Sequence, residues 1–403
     1  MENKSILDQI ISNHKAEEVS KLDAVDIISD IFNKLNERER DILSRRFGLY
    51  GKEKETLEEI GNVHKLTRER IRQIENASIN KLLELENLGE YLNNLKNVIN
   101  QLIEEHGGMA EHDYLLNNLV NFSVGNVKKP QEAEEIHKNH FDFLISKLLR
   151  NEFEEVSDSK YFKNYFKFKY QALGHLEKLA EELLGKIREA KKIFKTAEVI
   201  ELAKELDSYK ENSDKFNINN ILDISHIFKN DLYEEDAELI NYHKHIYSVL
   251  QAIRDIKQSK FGQWGLVDWR EVIPKTVNDK IYLILKNHGK PLHFVEIAGK
   301  INEIGFDEKK ANAATVHNEL ILDDKYVLVG RGLYGLKEWG YKNGTVSDVI
   351  IEILSRTIEP MTRDEILEKV LEQRLVKKAT VFLALMNKNK FDKVEGGKYG
   401  LKD

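Results

Sequence analysis

The chain has 403 residues, 41% apolar and 33% charged, so it is apolar enough to fold but too long for one hydrophobic core to organise. It contains no cysteine, which excludes a disulfide framework and any thiolate metal site. No run of about 18 apolar residues occurs and the first apolar run is too short for a signal peptide, so a protein of the reducing cytoplasm, without a membrane contact, is expected. A formal charge of −7 excludes a globally basic nucleic-acid coat. Any contact with a polyanion must come from a local patch.

Four prolines and the lack of a Ser/Gly-rich tract leave little material for long linkers, so several closely abutting domains are expected. Residues 1–34, with apolar periodicity from Ile6 to Phe32, read as one or two amphipathic helices. Residues 35–86 then read as three helices. Asn36 with Glu39 and Thr56 with Glu59 are capping-box pairs for the first two, because each side chain satisfies an orphan amide at a helix start. Gly61 permits a close approach or a turn, and Thr67 is the natural N-cap of a third helix from Arg68 to about Leu83.

At 100° per residue, Ile71, Ile74, Ser78 and Leu82 share one stripe of that third helix, and Glu69, Arg72, Gln73 and Asn76 lie nearly opposite. One face packs and the other is free to read. Between Lys65 and Leu82, Lys65, Arg68, Arg70, Arg72 and Lys81 outnumber Glu69 and Glu75, so the patch is locally basic. Arg grips guanine O6 and N7, Gln pairs with adenine N6 and N7, and Glu accepts from cytosine N4. Thr67 and Arg70 suit phosphate contacts. A solvated amphipathic helix has a similar composition, so spacing has to decide.

The spacing resembles region 4 of bacterial primary-type sigma factors, the domain that reads the promoter −35 element, from Leu35 to Glu84. The segments TLEEIG, LTRERIRQIE and KLL carry the likeness. The resemblance implies that Arg68, Glu69, Arg72 and Gln73 meet base edges, that the ERERDILSRRFGL helix supports them, and that RNA polymerase is a second partner. The region normally ends a sigma factor, whereas only 34 residues precede it here and it covers about an eighth of the chain. Promoter opening by this chain alone is therefore not expected.

Downstream, residues 87–166 read as a degenerate winged-helix module whose hairpin lacks a Gly-Leu-x-Trp ending. Residues 167–273 read as a further module ending in FGQWGLVDW, with IFKTAEVIELAKEL and NINNILDISHIFKND as candidate helices and an insertion around Asn230 to Lys257. Residues 274–341 and 346–403 form an internal repeat: Ala314, Thr315, Val316, Leu320, Lys325, Val329, Gly332, Tyr334, Gly335, Leu336 and Lys337 each recur at an offset of 65. Each copy reads helix, helix, a third helix at Ala-Thr-Val, then a glycine-containing hairpin, which is winged-helix order. The first copy, ending in GLYGLKEW, resembles the HARE-HTH domain of the RNA polymerase delta subunit and of some DNA-modifying enzymes. Its acidic third helix, AATVHNELILDD, suits protein contact, and the lysine-rich LVKKATVFLALMNKNK of the second suits phosphate or solvent. Trp264, Trp269 and Trp339 read as hairpin core residues rather than stacking platforms.

Gly330, Gly332 and Gly335 spell GxGxxG, but in a hairpin rather than at the opening of a helix, so no dinucleotide site is expected. The pairs His137 with His140 and His243 with His245 lack an HExxH frame, and no metal or other cofactor is expected. No P-loop, GxSxG or kinase-type motif occurs, so no enzyme is expected. The fold expected is mainly α and multi-domain, with small hairpin wings as its sheets. The function expected is sequence-specific binding of double-stranded DNA in transcription initiation or its regulation. The alternatives are a polymerase-associated scaffold that reads no specific DNA, or a non-catalytic targeting subunit of a restriction or DNA-modification system.

Overall fold

The computed structural model describes residues 22–124, 131–218, 220–228, 232–341, 344–357, 359–374 and 376–402. Of the N-terminal helices expected from Ile6 to Phe32, the part before Leu22 lies outside the described residues; the rest is α1, Ala24–Phe32, capped by the Asp23 carboxylate and burying Ile28, Ile31 and Phe32. Three helices follow: α2 (Glu37–Phe47), α3 (Leu57–His64) and α4 (Arg68–Leu83). The caps form where the side chains allow. Asn36 and Glu39 exchange hydrogen bonds at 2.9 Å, Thr56 and Glu59 do the same at 3.3 and 2.7 Å, and Thr67 Oγ1 accepts from the Arg70 amide at 3.2 Å.

Beyond α4 the chain repeats one element order. In residues 88–168, α5 (Leu88–Glu105), β1 (Met109–Glu111), α6 (His112–Val124) and α7 (Gln131–Phe143) lead to the hairpin of β2 (Phe153–Val156) and β3 (Tyr165–Phe168). The sheet order is β1-β3-β2, antiparallel throughout. The next module starts with α8 (Gly174–Ala190), β4 (Phe194–Lys195) and α9 (Thr196–Glu205), then makes a detour through the short helices α10 (Asp207–Glu211), α11 (Ser213–Phe216) and α12 (Ala237–Tyr242). It resumes at α13 (Lys244–Ala252), with β5 (Ile256–Gln258) and β6 (Gln263–Leu266), in sheet order β4-β6-β5. Among the described residues of the helix expected over NINNILDISHIFKND, only a 3-10 turn at Ser225–Phe228 forms, and the insertion precedes the third helix rather than spanning 230–257. The Ile221 and Leu222 amides donate to the Glu105 carboxylate and the Ile224 amide to Asn241 Oδ1, so these groups are not available to a helical ladder.

The chain divides into two compact units: Gln258 and Gly262–Val267 close the first, and Ser259–Phe261 with Asp268 onward form the second. The second unit repeats the order twice. First come α14 (Val277–His288), β7 (Leu292–His293), α15 (Phe294–Ile304), α16 (Ala313–Leu322), β8 (Tyr326–Leu328) and β9 (Leu333–Leu336), in sheet order β7-β9-β8. Then come α17 (Val346–Ser355), α18 (Arg363–Gln373), α19 (Lys378–Leu385), β10 (Phe391–Lys393) and β11 (Tyr399–Leu401), where a bridge from Met361 to Tyr399 takes the place of the first strand. Gly330, Gly332 and Gly335 lie on this first wing. Gly332 has φ +68, and a Cβ there would sit 2.5 Å from His293 Nε2, so the tight turn requires glycine. The fold is mainly α with small antiparallel sheets, as the periodicity indicates.

In the first unit the modules are not separate beads. One apolar core runs from Leu22 and Phe32 through Leu43, Leu82, Leu95 and Phe143 to Phe166 and Leu222. The boundary expected at 86/87 therefore divides two segments that share a core. A buried ion pair completes the weld: Lys244 at the start of α13 meets Glu105 at the end of α5, both essentially without solvent. Glu105 also accepts from the Leu222 and Ile221 amides at 2.9 Å, and Lys244 donates to the Leu222 carbonyl. Removing one partner strands a buried charge, which costs about 3 to 5 kcal/mol. Lys244→Met should accordingly lower the first unit's unfolding free energy by that order in urea titrations, and adding Glu105→Gln, which keeps an acceptor for Leu222, should recover most of the loss.

Candidate nucleic-acid interface

The helix-turn-helix is built from one buried isoleucine per helix. Ile42 of α2, Ile60 of α3 and Ile71 of α4 are fully buried against one another, with Leu57, Leu66 and Ile74 around them. Ile71, Ser78 and Leu82 are buried and Ile74 is half-buried, and Ile79, beside that stripe, is a fourth buried position that joins the large core. The opposite face is bare: Arg68, Glu69, Arg70, Arg72, Gln73 and Asn76 are all exposed, as is Thr67.

The turn between α3 and α4 is three residues long, and its geometry is specified atom by atom. Lys65 takes the left-handed conformation, φ 55, and caps α3, while the Leu66 amide donates to the Gly61 carbonyl at 2.9 Å. A Cβ on Gly61 would stand 2.7 Å from the Leu66 carbonyl oxygen. That oxygen is backbone, so a side chain there must push α4 away from α3.

The exposed side chains are organised among themselves. Arg72 holds Glu69 through two hydrogen bonds of 2.8 and 2.7 Å, and Arg70 Nη1 donates to Gln73 Oε1 at 3.1 Å. The Arg72 guanidinium holds the Glu69 carboxyl below its ordinary pKa, keeping it an acceptor. At full exposure such pairs are weak and screened by salt, so they orient these groups without tying them up. The structure thus places Arg68, Glu69, Arg72 and Gln73 together on the outer face of the first turns of α4, with Thr67 at the helix start, occupied as a cap, and Arg70 beside Gln73.

A second polar cluster had no counterpart in the sequence reasoning. Asp41 of α2 accepts from Arg45 at 2.8 Å, from Lys52 at 2.5 Å and lies 2.9 Å from His64 Nε2 at the end of α3; Arg45 also holds Glu55 at 2.7 Å. Arg46 reaches Glu75 of α4 at 3.6 Å. These contacts tie α2 to the loop, to α3 and, through Arg46, to α4. Asp41 with Arg45 is an i,i+4 pair, but only long-range pairing reveals the contacts to His64 and Glu75. Burial pushes the Asp41 carboxyl up, but the Lys52 and Arg45 hydrogen bonds outweigh it and hold its pKa at about 2.

The third helices of the two following modules are spent on neighbours. In α7, Asn139 donates to the Gly48 carbonyl at 3.1 Å, His140 meets Tyr50 edge to face at 4.9 Å, and Phe143 packs on Phe47 at 5.0 Å. In α13, Ser248 donates to the Met109 carbonyl at 2.7 Å and Tyr247 packs on Tyr114. His137 and His140 thus lie on a helix that braces the head, and His243 and His245 sit edge to face 6.0 Å apart beside Phe216 and Tyr242. Trp264 is buried in the hairpin and donates to Thr196 Oγ1 at 2.9 Å. Among the described residues no group of three His, Asp or Glu side chains is arranged to hold a metal, and no helix is long and apolar enough to cross a membrane.

Residues 31–84 match the family model Sigma-70, region 4. Residues 275–339 match a second, HARE-HTH, the HTH domain whose name includes ASXL and restriction endonuclease. Both likenesses read from the sequence therefore hold, and both are helix-turn-helix domains of DNA-binding type. The RNA polymerase sigma factors SigA of Microcystis aeruginosa and of Synechocystis sp. are each 46% identical over 66 residues, which is 16% of this chain and 16% of theirs. The RNA polymerase sigma factor RpoD of Helicobacter pylori is 50% identical over 56 residues, 14% of this chain and 8% of its own. The chain thus covers a small fraction of these relatives' length. No solved structure matches it.

Two outcomes test the construction of this head. Gly61→Ala should destabilise it and weaken DNA binding more than an exposed control such as Asn62→Ala, measured by thermal melting and by duplex binding at fixed salt. Asp41 has a folded pKa below its unfolded value of 3.8, so its contribution is complete above about pH 4 and is lost as the pH falls through about 2. The difference in melting temperature between the natural protein and Asp41→Asn should be full at pH 7 and shrink towards zero near pH 2.

Proposed function

We propose that this chain reads double-stranded DNA sequence-specifically through α4 and acts, without catalysis, in transcription initiation or its regulation. The observation that carries the proposal is the exposed face of α4: Arg68, Glu69, Arg72 and Gln73 are base-edge chemistries, set on a helix whose other face is fixed by Ile71, Ile79 and Leu82. Base readers must be held on a rigid element while their heads stay available to the groove. Thr67 and Arg70, at the helix start, are suited to phosphate, where the helix dipole favours an anion. RNA polymerase as a partner rests on the likeness to sigma factors. The burial of α7 and α13 supports a chain whose first two winged helices orient the head instead of reading DNA themselves.

In vitro selection from random duplexes at stated salt should enrich one motif with the natural protein. Arg72→Ala with Gln73→Ala should lose that motif, each missing base contact weakening binding about five- to a hundredfold. Selection of no motif by either protein would overturn sequence reading and favour the polymerase-associated scaffold.

A further inference from the structure

The third helix of the 275–339 domain, α16, leaves a continuous stripe uncovered. Ala314, Thr315, Asn318, Ile321 and Leu322 line it, with Ile321 exposed by 61% and Leu322 by 79%. At 100° per residue they span about 120° of the helix, a face wide enough to pack against another helix. Val316 and Leu320, on the other side, fill the domain core. In a winged helix this is the surface offered to a groove, yet the stripe carries no cation. Acids border it, Glu319 beside it on the helix and Asp323 and the exposed Asp324 after it, with Glu319 and Asp323 also accepting from Asn278 and Asp323 pairing with Lys325. Two exposed lysines, Lys309 and Lys310, precede it.

That arrangement is complementary to itself when reversed. About a two-fold axis through Asn318, an antiparallel copy sets Ala314 opposite Leu322 and Thr315 opposite Ile321, so small side chains meet large ones. It also brings the segment with Lys309 and Lys310 of each copy to the end of the helix where Asp323 and Asp324 of the other lie. Isologous pairing of this kind is the commonest route to a dimer. The same chain already uses its third helices this way, since α7 and α13 are both buried against protein. The repeat supplies the contrast. In α19 the stripe is Ala379, Thr380, Leu383 and Met386, but Lys377, Lys378 and Lys388 border it and no acid lies between Val376 and Phe391, so reversal would set lysine on lysine.

We propose that the chain forms a two-fold dimer in which the exposed stripe of α16 packs antiparallel on the same stripe of a second copy. One helix face per protomer is smaller than a standard interface, so the association is weak and concentration-dependent. Such a dimer carries two helix-turn-helix heads.

Sedimentation velocity of the full chain, from about 5 to about 200 µM, where interfaces of this size associate, is the test. The natural protein should move from monomer towards dimer, Leu322→Lys should remain monomeric with an unchanged thermal melt, and Leu383→Lys in α19 should dimerise like the natural protein. Lys309→Glu with Lys310→Glu should weaken the dimer, Asp324→Lys should weaken it too, and mixing the two variants should restore it, an exchange that does not depend on Leu322→Lys folding. A natural protein that stays monomeric throughout overturns the proposal, as does a dimer indifferent to Leu322→Lys or a mixture that fails to recover. Loss of DNA affinity in the Lys309, Lys310 variant with no dimer in the natural protein would reassign the face to phosphate.

Discussion

Lys244 carries a positive charge into a place without solvent, and Glu105 is what makes that possible. The cost of taking two charges out of water is offset only when geometry and further hydrogen bonds satisfy the rest of each group, and here the Leu222 amide and carbonyl do so. Three stretches distant in sequence, the end of α5, the insertion at 221–222 and the start of α13, are thereby fixed at one point. Everything around that point inherits its rigidity. With α13 held on β1 and α7 held on the head, the first unit has little freedom to rearrange, and α4 remains its uncovered basic helix.

Rigidity at the head has a separate origin. Three isoleucines make too small a core to hold three helices alone, since such a cluster buries far less than a domain core. The head is stable because Ile79 and Leu82 extend α4 into the larger core, and because Asp41, Arg45, Arg46, Glu55 and Glu75 tie loop and helices together at its other side. α4 is therefore held at both halves, by Ile71 against Ile42 and Ile60 and by Ile79 and Leu82 in the large core, with the outer face of its first turns left exposed. A groove-reading element needs that division, because contacts must be precise at the base edges and unobstructed there.

How much of this the sequence discloses depends on the range of the interaction. Short-range features are legible: the capping boxes at Asn36 and Thr56, the cap at Thr67, and the apolar stripe of α4 each depend on residues within a turn or two. The repeat at offset 65 is legible because two copies record the same constraints. The true place of the insertion is hidden because the Ile221 and Leu222 amides go to Glu105, far back in the sequence, rather than to a helical ladder, and α13, although the most buried helix of its module, contains Lys244, His245 and Ser248 where apolar residues would be expected. Lys244 and Ser248 are buried because their partners lie more than 100 positions away, in Glu105 and Met109. Ile79 escapes a periodicity count for a simpler reason: at 100° per residue it lies about 60° round the helix from Leu82, outside the narrow stripe, although both enter the same large core.

The net charge and the reading face constrain each other. A chain of charge −7 is repelled by DNA at distance, so nonspecific attraction is limited to the basic patch around Lys65 to Arg72, and affinity depends on contacts made within a few ångströms. Such a protein gains less from sliding on any duplex and relatively more from a matched site. The intrahelical pairs of Glu69 with Arg72 and Arg70 with Gln73 are exposed and weak, so they set the direction of these side chains at little cost to an incoming group. On the proposed function, weak general attraction leaves affinity to the contacts that the exposed face of α4 makes at its site.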